Sequence, residues 1–248
     1  MKTPETNRPD GETLDTFYRG RIRILQKKKG YRFSVDAPLL ADFIRTGPDD
    51  EIVELGTGSG VVSLLLSLKP FRRITALEIQ PALADLARRN VTLNGLEDRV
   101  AVLEQDWRRY RPGRKFDLVF SNPPYIRSGT GFPSRTPEKA VAKHEIHGEI
   151  TDVMAATAEL LSPAGRACFI FPEIRRSDFL EAAGALGLGL RRSRSVHPRG
   201  DEPPNLFLSE IGFSPSSETA ELLSPLVLFG EDGRYTAEAE EIFSGRAV

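Results

Sequence analysis

From Glu51 onward the apolar positions fall into a regular rhythm of short runs and longer amphipathic stretches. The run at 51–55 leads through glycines into a helical pattern over 59–68, which Pro70 ends. A strand over 73–78 follows, and Pro81 opens a helix that stops near Asn94-Gly95. Strands are then predicted over 99–103 and 116–121, a helix over 149–161, a strand over 166–171 and a helix over 174–186. Two further strands, near 190–197 and 205–211, complete the set. Alternating β and α segments of these lengths predict an α/β fold with a mainly parallel sheet covered by helices on both faces.

The ends of the chain read differently. Residues 1–13 are polar and read as a mobile tail without the apolar segment of a signal peptide. Arg21-Ile22-Arg23-Ile24 and Tyr31-Arg32-Phe33-Ser34-Val35 both alternate around Lys29-Gly30, which predicts a small basic hairpin. Asp36 is placed to cap a helix over Leu39 to Ile44. Past Ser214 the chain reads as a linker and a tail, 220–248, with an edge strand over Leu226–Phe229. The expected organisation is one domain over 1–248, with a basic extension at 14–47 and a C-terminal tail at 214–248.

Composition narrows the class. The chain has 248 residues, 40% of them hydrophobic, and no apolar run long enough to span a bilayer. Its single cysteine, Cys168, sits in a predicted core strand and fits a reducing, cytoplasmic compartment. Net charge is −1, so overall charge does not advertise nucleic acid. Cations are instead clustered: Arg19, Arg21, Arg23, Lys27, Lys28, Lys29 and Arg32 in one stretch, Arg191, Arg192, Arg194 and Arg199 in another. Such patches suit phosphates, and equally a solvated surface.

The candidate chemistry gathers at the carboxyl ends of four predicted strands, where sheets of this kind bind ligands. The first is Glu54-Leu55-Gly56-Thr57-Gly58-Ser59-Gly60. Its E-x-G-x-G-x-G spacing is neither the dinucleotide G-x-G-x-x-G nor a P-loop. Glu54 precedes the turn, where it would repel a pyrophosphate but suit a ligand with a cationic head. The stretch resembles the first motif of class I S-adenosylmethionine (SAM) methyltransferases. The resemblance implies a Rossmann-like, mainly parallel seven-stranded sheet with SAM as cofactor. Glu78 ends the second strand, at the place of an acid that accepts ribose hydroxyls. Asp106 follows the third strand and is placed to accept from the adenine amine, or to cap a helix. Thr57, Ile79 and Trp107 complete the expected cofactor set with Gly56, Gly58, Gly60 and Asn122.

After the fourth strand comes Asn122-Pro123-Pro124-Tyr125. Two consecutive prolines fix the backbone and remove two donors. The Asn122 side-chain oxygen and the Pro123 carbonyl can then accept from one –NH2 group, and the Tyr125 ring can stack on a planar substrate. The motif resembles that of amino-methyltransferases acting on adenine N6, cytosine N4 or a glutamine amide. Phe33 to Ala41, Ala142-Lys143-His144-Glu145-Ile146 with Asp152-Val153 and Leu160-Leu161, and Pro225 to Leu228 with Asp232-Gly233 and Tyr235-Thr236 are similar to the bacterial tRNA1(Val) (adenine(37)-N6)-methyltransferase family.

That resemblance implies a tRNA anticodon-loop adenine as substrate. Phosphate and substrate contacts are then expected from Arg21, Arg23, Lys27, Lys28, Lys29, Arg32, Ser34, Asp36, His144 and Arg199. Two acids and two prolines in Gly200-Asp201-Glu202-Pro203-Pro204-Asn205 depart from the basic loop expected there. His144-Glu145-Ile146-His147 lacks the i,i+4 spacing of a helical zinc site, so no metal is expected, and His144 is read as shaping the substrate loop or capping the next helix. A monomer or weak homodimer is expected. The rival readings are a release-factor-type glutamine methyltransferase and a non-catalytic SAM- or RNA-binding module.

Overall fold

The computed structural model describes residues 11–28, 35–123, 150–213 and 219–245. The expected central rhythm is present. Strands β3 (Glu51–Leu55), β4 (Arg73–Glu78), β5 (Val100–Glu104), β6 (Phe116–Ser121) and β7 (Leu161–Pro172) are joined in parallel, in the order β5-β4-β3-β6-β7. Strand β9 (Leu206–Phe213) runs antiparallel between β7 and β8 (Leu188–Arg199).

Among the described residues the sheet has nine strands rather than seven. The two additions are short: β10 (Glu221–Leu222) and β11 (Leu226–Phe229), both pairing parallel to the outer edge of β8. They belong to the segment read as a tail. That segment folds back because its apolar residues have a place to go: Leu226, Leu228, Ala239 and Ile242 are all buried in the main core. The last two lie on helix α6 (Ala237–Ser244), whose first turn is capped by the Thr236 hydroxyl accepting from the Ala239 amide.

Helices cover both faces. One apolar cluster lies under α1 (Asp36–Phe43), α2 (Val61–Leu66), α3 (Pro81–Leu93) and α6. The other lies under α4 (Ile150–Leu160) and α5 (Arg176–Gly184), with an aromatic group of Phe169, Phe171, Phe179 and Phe207 at ring separations of 5.3–6.3 Å. Cys168 is fully buried between β6 and β9, and burial pushes its thiol pKa up, as suits a core residue.

The N-terminal hairpin differs from expectation. Strand β2 (Ile22–Lys27) pairs antiparallel with β1 (Glu12–Phe17), through a turn in which Tyr18 and Arg19 have positive φ. Glu12 and Thr13 therefore belong to a strand and not to a tail. The predicted turn at Lys29-Gly30 and the second arm up to Ser34 lie outside the described residues. Glu12 binds Arg89 of α3 through both carboxylate oxygens, at 2.5 and 2.8 Å, and this tertiary contact fixes a strand that its own alternation barely announces. Asp36 is the first residue of α1 and Val35 occupies the cap position, without a side-chain cap bond. The other end of α1 is held by Lys69, whose ammonium donates to the carbonyls of Ala41, Asp42 and Ile44 at 2.5–3.0 Å. Helix α2 is shorter than expected, six residues within the predicted 59–68.

Candidate functional site

The glycine turn follows β3 directly. Gly56, Gly58 and Gly60 all have positive φ, of 76°, 58° and 86°, a conformation that a side chain would strain. At Gly60 an added Cβ would also meet the Ala87 side chain at 3.4 Å, so α3 can approach the turn closely. The amides of Gly56 and Thr57 both donate to the carbonyl of Leu77 on the neighbouring β4, at 3.0 and 2.8 Å.

Two acids hold the turn. Glu78 is 4% exposed, and its carboxylate accepts from the amides of Gly58 (2.8 Å) and Gln80 (2.9 Å). Burial raises its pKa, against the lowering effect of those amides. Glu54 is 2% exposed. Its Oε2 accepts from the hydroxyls of Thr57 and Ser63, both at 2.5 Å. Burial pushes its pKa to about 7, opposed by those two bonds. Through these bonds Glu54 ties the turn to the first turn of α2. Thr57, expected to bind cofactor, spends its hydroxyl on Glu54.

The catalytic stretch is brought alongside. Strand β6 pairs with β3 so that Glu54 faces Phe120, and the Ser121 hydroxyl donates to the Leu55 carbonyl at 2.6 Å. Asn122, half-buried, and Pro123, buried, therefore leave the sheet beside Gly56. Pro124 and Tyr125 lie outside the described residues, as do Lys29, Arg32, Ser34, His144 and His147. Asp36 begins α1, whose other end is the one held by Lys69.

Past β5, Asp106 caps a short 3-10 turn over Trp107–Arg109. Its two oxygens accept from the Arg108 guanidinium at 2.9 and 2.7 Å, and that pairing lowers its pKa. The cap expected of it is thus present. Ile79 and Trp107 are half-buried.

The second basic cluster is not a free patch. Arg191 donates to the carbonyls of Gly165 and Phe213. Arg192 is 4% exposed, binds Glu210 at 2.7 Å and donates to the Phe43 carbonyl at 2.8 Å. Arg194 pairs with Glu238 and the Ser224 carbonyl. Only Arg199 of that cluster is exposed, 3.9 Å from Glu202. In the first cluster Arg23 is likewise committed, donating to the Leu93 carbonyl at the end of α3. Arg21 and Lys28 are exposed and Lys27 is half-buried. Arg21 lines a cleft of about 310 Å³ with Tyr18, Asp42, Arg45 and Arg194, at the opposite end of α1 and away from the glycine turn.

Two residues that sequence reading did not single out adjoin the turn. Asn90 of α3 binds the backbone of Leu25 through both side-chain ends and also donates to the Ser59 carbonyl at 2.9 Å. Ser59 is 3% exposed, and its own hydroxyl has no partner. Three cradle glycines, a strand-end acid and an orphaned buried hydroxyl fit an adenosyl amino-acid ligand. Among the described residues no group of three or more His, Cys, Asp or Glu is arranged to hold a metal ion, and no helix is long and apolar enough to cross a membrane.

Comparison with known proteins agrees with this geometry. Residues 32–160, more than half the chain, match the methyltransferase small domain family. A Porphyromonas gingivalis protein named tRNA1(Val) (adenine(37)-N6)-methyltransferase is 29% identical over 90% of this chain and 91% of its own. One of the same name from Vibrio campbellii is 28% identical over 74% of this chain and 77% of its own. Among solved structures, an Agrobacterium tumefaciens protein described as a predicted O-methyltransferase superposes with a TM-score of 0.63, at 22% identity, over 86% of this chain and 97% of its own. A tRNA m1G37 methyltransferase from M. jannaschii gives 0.58 at 14% identity, over 83% and 56%. At those identities the structural likeness speaks to the fold alone. With the glycine turn, the strand-end acid and the Asn122 elbow assembled on such a sheet, the chain belongs to the methyltransferase small domain family.

Proposed function

We propose that this protein uses SAM to methylate N6 of an adenine in a tRNA anticodon loop, with position 37 expected, in the cytoplasm. The observation that carries the reading is the Ser121–Leu55 bond, which sets the Asn122 elbow beside the glycine turn. The names of the relatives quoted above support the choice of substrate.

SAM, when bound, supplies an electrophilic methyl group. The chain's own residues do the rest. Glu78 accepts from the ribose hydroxyls at the end of β4. The Asn122 side-chain oxygen and the Pro123 carbonyl accept the two hydrogens of the adenine amine. An amine conjugated to a ring is a poor nucleophile; holding both hydrogens favours the pyramidal form that develops in the transition state. Alignment matters more than acid–base help in an in-line displacement, and the spare proton leaves to solvent. Tyr125 stacks on the base, which must leave its neighbours to reach the site, at low cost in a single-stranded loop. Lys27, Lys28 and Lys29, with Arg21 and Arg199, contact phosphates.

Incubation with labelled SAM and either total tRNA or a release factor tests this. Label in tRNA, mapped by mass spectrometry to N6 of an anticodon-loop adenine, is the expected result. Label in the protein substrate, or in neither, overturns it.

A further inference from the structure

The N-terminal hairpin does more than flank the sheet. In β2 the inward-facing side chains are Ile22, Ile24 and Gln26, all buried, and Gln26 is the last of them in the strand. Its amide nitrogen donates to the Asp15 carboxylate at 2.5 Å. A carboxylate offers only acceptors, so the –NH2 must face it and Oε1 must face away. That oxygen, on a residue 4% exposed, has no partner. One residue earlier, the Leu25 backbone is clamped by Asn90, whose –NH2 also reaches the Ser59 carbonyl in the glycine turn. Two buried polar atoms, Gln26 Oε1 and Ser59 Oγ, thus flank one junction, each unsatisfied. Buried polar groups are almost always paired, and an orphan left in a native fold calls for an explanation.

We propose that Gln26 and Ser59 bind the amino-acid end of the cofactor, with Gln26 Oε1 accepting from its ammonium and the Ser59 hydroxyl donating to its carboxylate. The hairpin is then a wall of the cofactor pocket. This rests on the SAM reading above and adds residues to it. Of the acids near the turn, Glu54 Oε2 already accepts from Thr57 and Ser63, and Glu78 accepts from Gly58 and Gln80 and is assigned to the ribose. A cationic ammonium needs an acceptor, and Gln26 Oε1 is a buried one with no donor of its own.

Two probes separate the claims: S-adenosylhomocysteine, which carries the amino-acid end, and 5′-methylthioadenosine, which lacks it. Titration calorimetry on the full chain is expected to show Gln26→Leu weakening the first by about tenfold or more and Ser59→Ala by about fivefold. Both variants should leave the second within about twofold. The unliganded Ser59→Ala variant should melt no lower than wild type, because it loses only an unsatisfied buried atom, whereas Gln26→Leu also gives up the bond to Asp15 and is read by its affinities alone. Hydrogen exchange over 22–27 in the wild type should slow with S-adenosylhomocysteine and not with 5′-methylthioadenosine, a readout that needs no variant to fold. Equal losses for both probes, or none, with unchanged hairpin exchange, overturn the inference while leaving the SAM reading in place. A wild-type protein that binds neither probe overturns both.

Discussion

The amide of Gly58 donates to Oε2 of Glu78 at 2.8 Å, twenty residues on and one strand over. The acid that closes β4 therefore also fixes the middle of the glycine turn. Replacing it removes an acceptor from a buried amide, at a cost of about 1–3 kcal/mol. Glu78→Ala is expected to weaken SAM binding by about tenfold or more and to speed hydrogen exchange over 56–60. Glu78→Gln, which keeps one acceptor, should fall between. Calorimetry with unchanged affinity in the alanine variant would remove Glu78 from the cofactor site.

Glu54 gives the fold a dependence on pH. Burial lifts its pKa from 4.5 to about 7 in the folded state, despite the Ser63 and Thr57 hydroxyls. The folded form then holds the proton more tightly than the unfolded one. Stability contributed by the neutral acid is fully present below about pH 4.5, is lost as pH rises toward 7, and stays lost above. The span is on the order of 3 kcal/mol. Glu54→Gln keeps an acceptor for both hydroxyls without the charge. Its denaturation profile should be flatter between pH 5 and 8 than that of the wild type, and it should be the more stable protein at pH 8. Parallel profiles for the two proteins would mean that Glu54 titrates as an ordinary carboxylate.

The two basic clusters should behave oppositely. Reversing Lys27, Lys28 and Lys29 is expected to weaken tRNA binding and to lower the salt slope by about one per lost phosphate contact, with the fold intact. Arg192→Ala instead strands Glu210 and frees the Phe43 carbonyl, and should cost roughly 3–5 kcal/mol of stability. Filter binding across salt concentrations, beside urea melts, reads both. An unchanged slope in the lysine variant would place the RNA elsewhere on the surface.

These contrasts mark what the sequence could carry. The strand ends at Glu54, Glu78, Asp106 and Asn122 were legible because short apolar runs bounded by turn residues locate strand termini, and ligands gather there. The fate of Arg191, Arg192 and Arg194 was not, since a run of arginines reads the same whether it faces solvent or crosses to Glu210 and Glu238. The strand at Glu12–Phe17 escaped notice because its identity comes from β2 and from Arg89, both distant in sequence. Gln26 belongs to no motif, and Ser59 is a variable position of the glycine motif; only their burial without a partner draws attention to them.

Asn122 is the residue on which turnover should depend most. It follows Ser121, whose hydroxyl bond to Leu55 anchors the elbow, so a change at Asn122 leaves that anchor in place. Asn122→Ala removes one of two acceptors for the adenine amine, an interaction that strengthens only as the nitrogen becomes pyramidal. Losing such a bond lowers kcat by about 100-fold or more while SAM affinity stays within a few-fold. Asn122→Asp retains an oxygen acceptor and should keep more activity than the alanine variant. Single-turnover rates with saturating tRNA, measured beside calorimetric SAM binding, separate the two effects. A variant that loses SAM affinity and keeps its single-turnover rate would assign Asn122 to the cofactor and leave the amine without the partner argued for it.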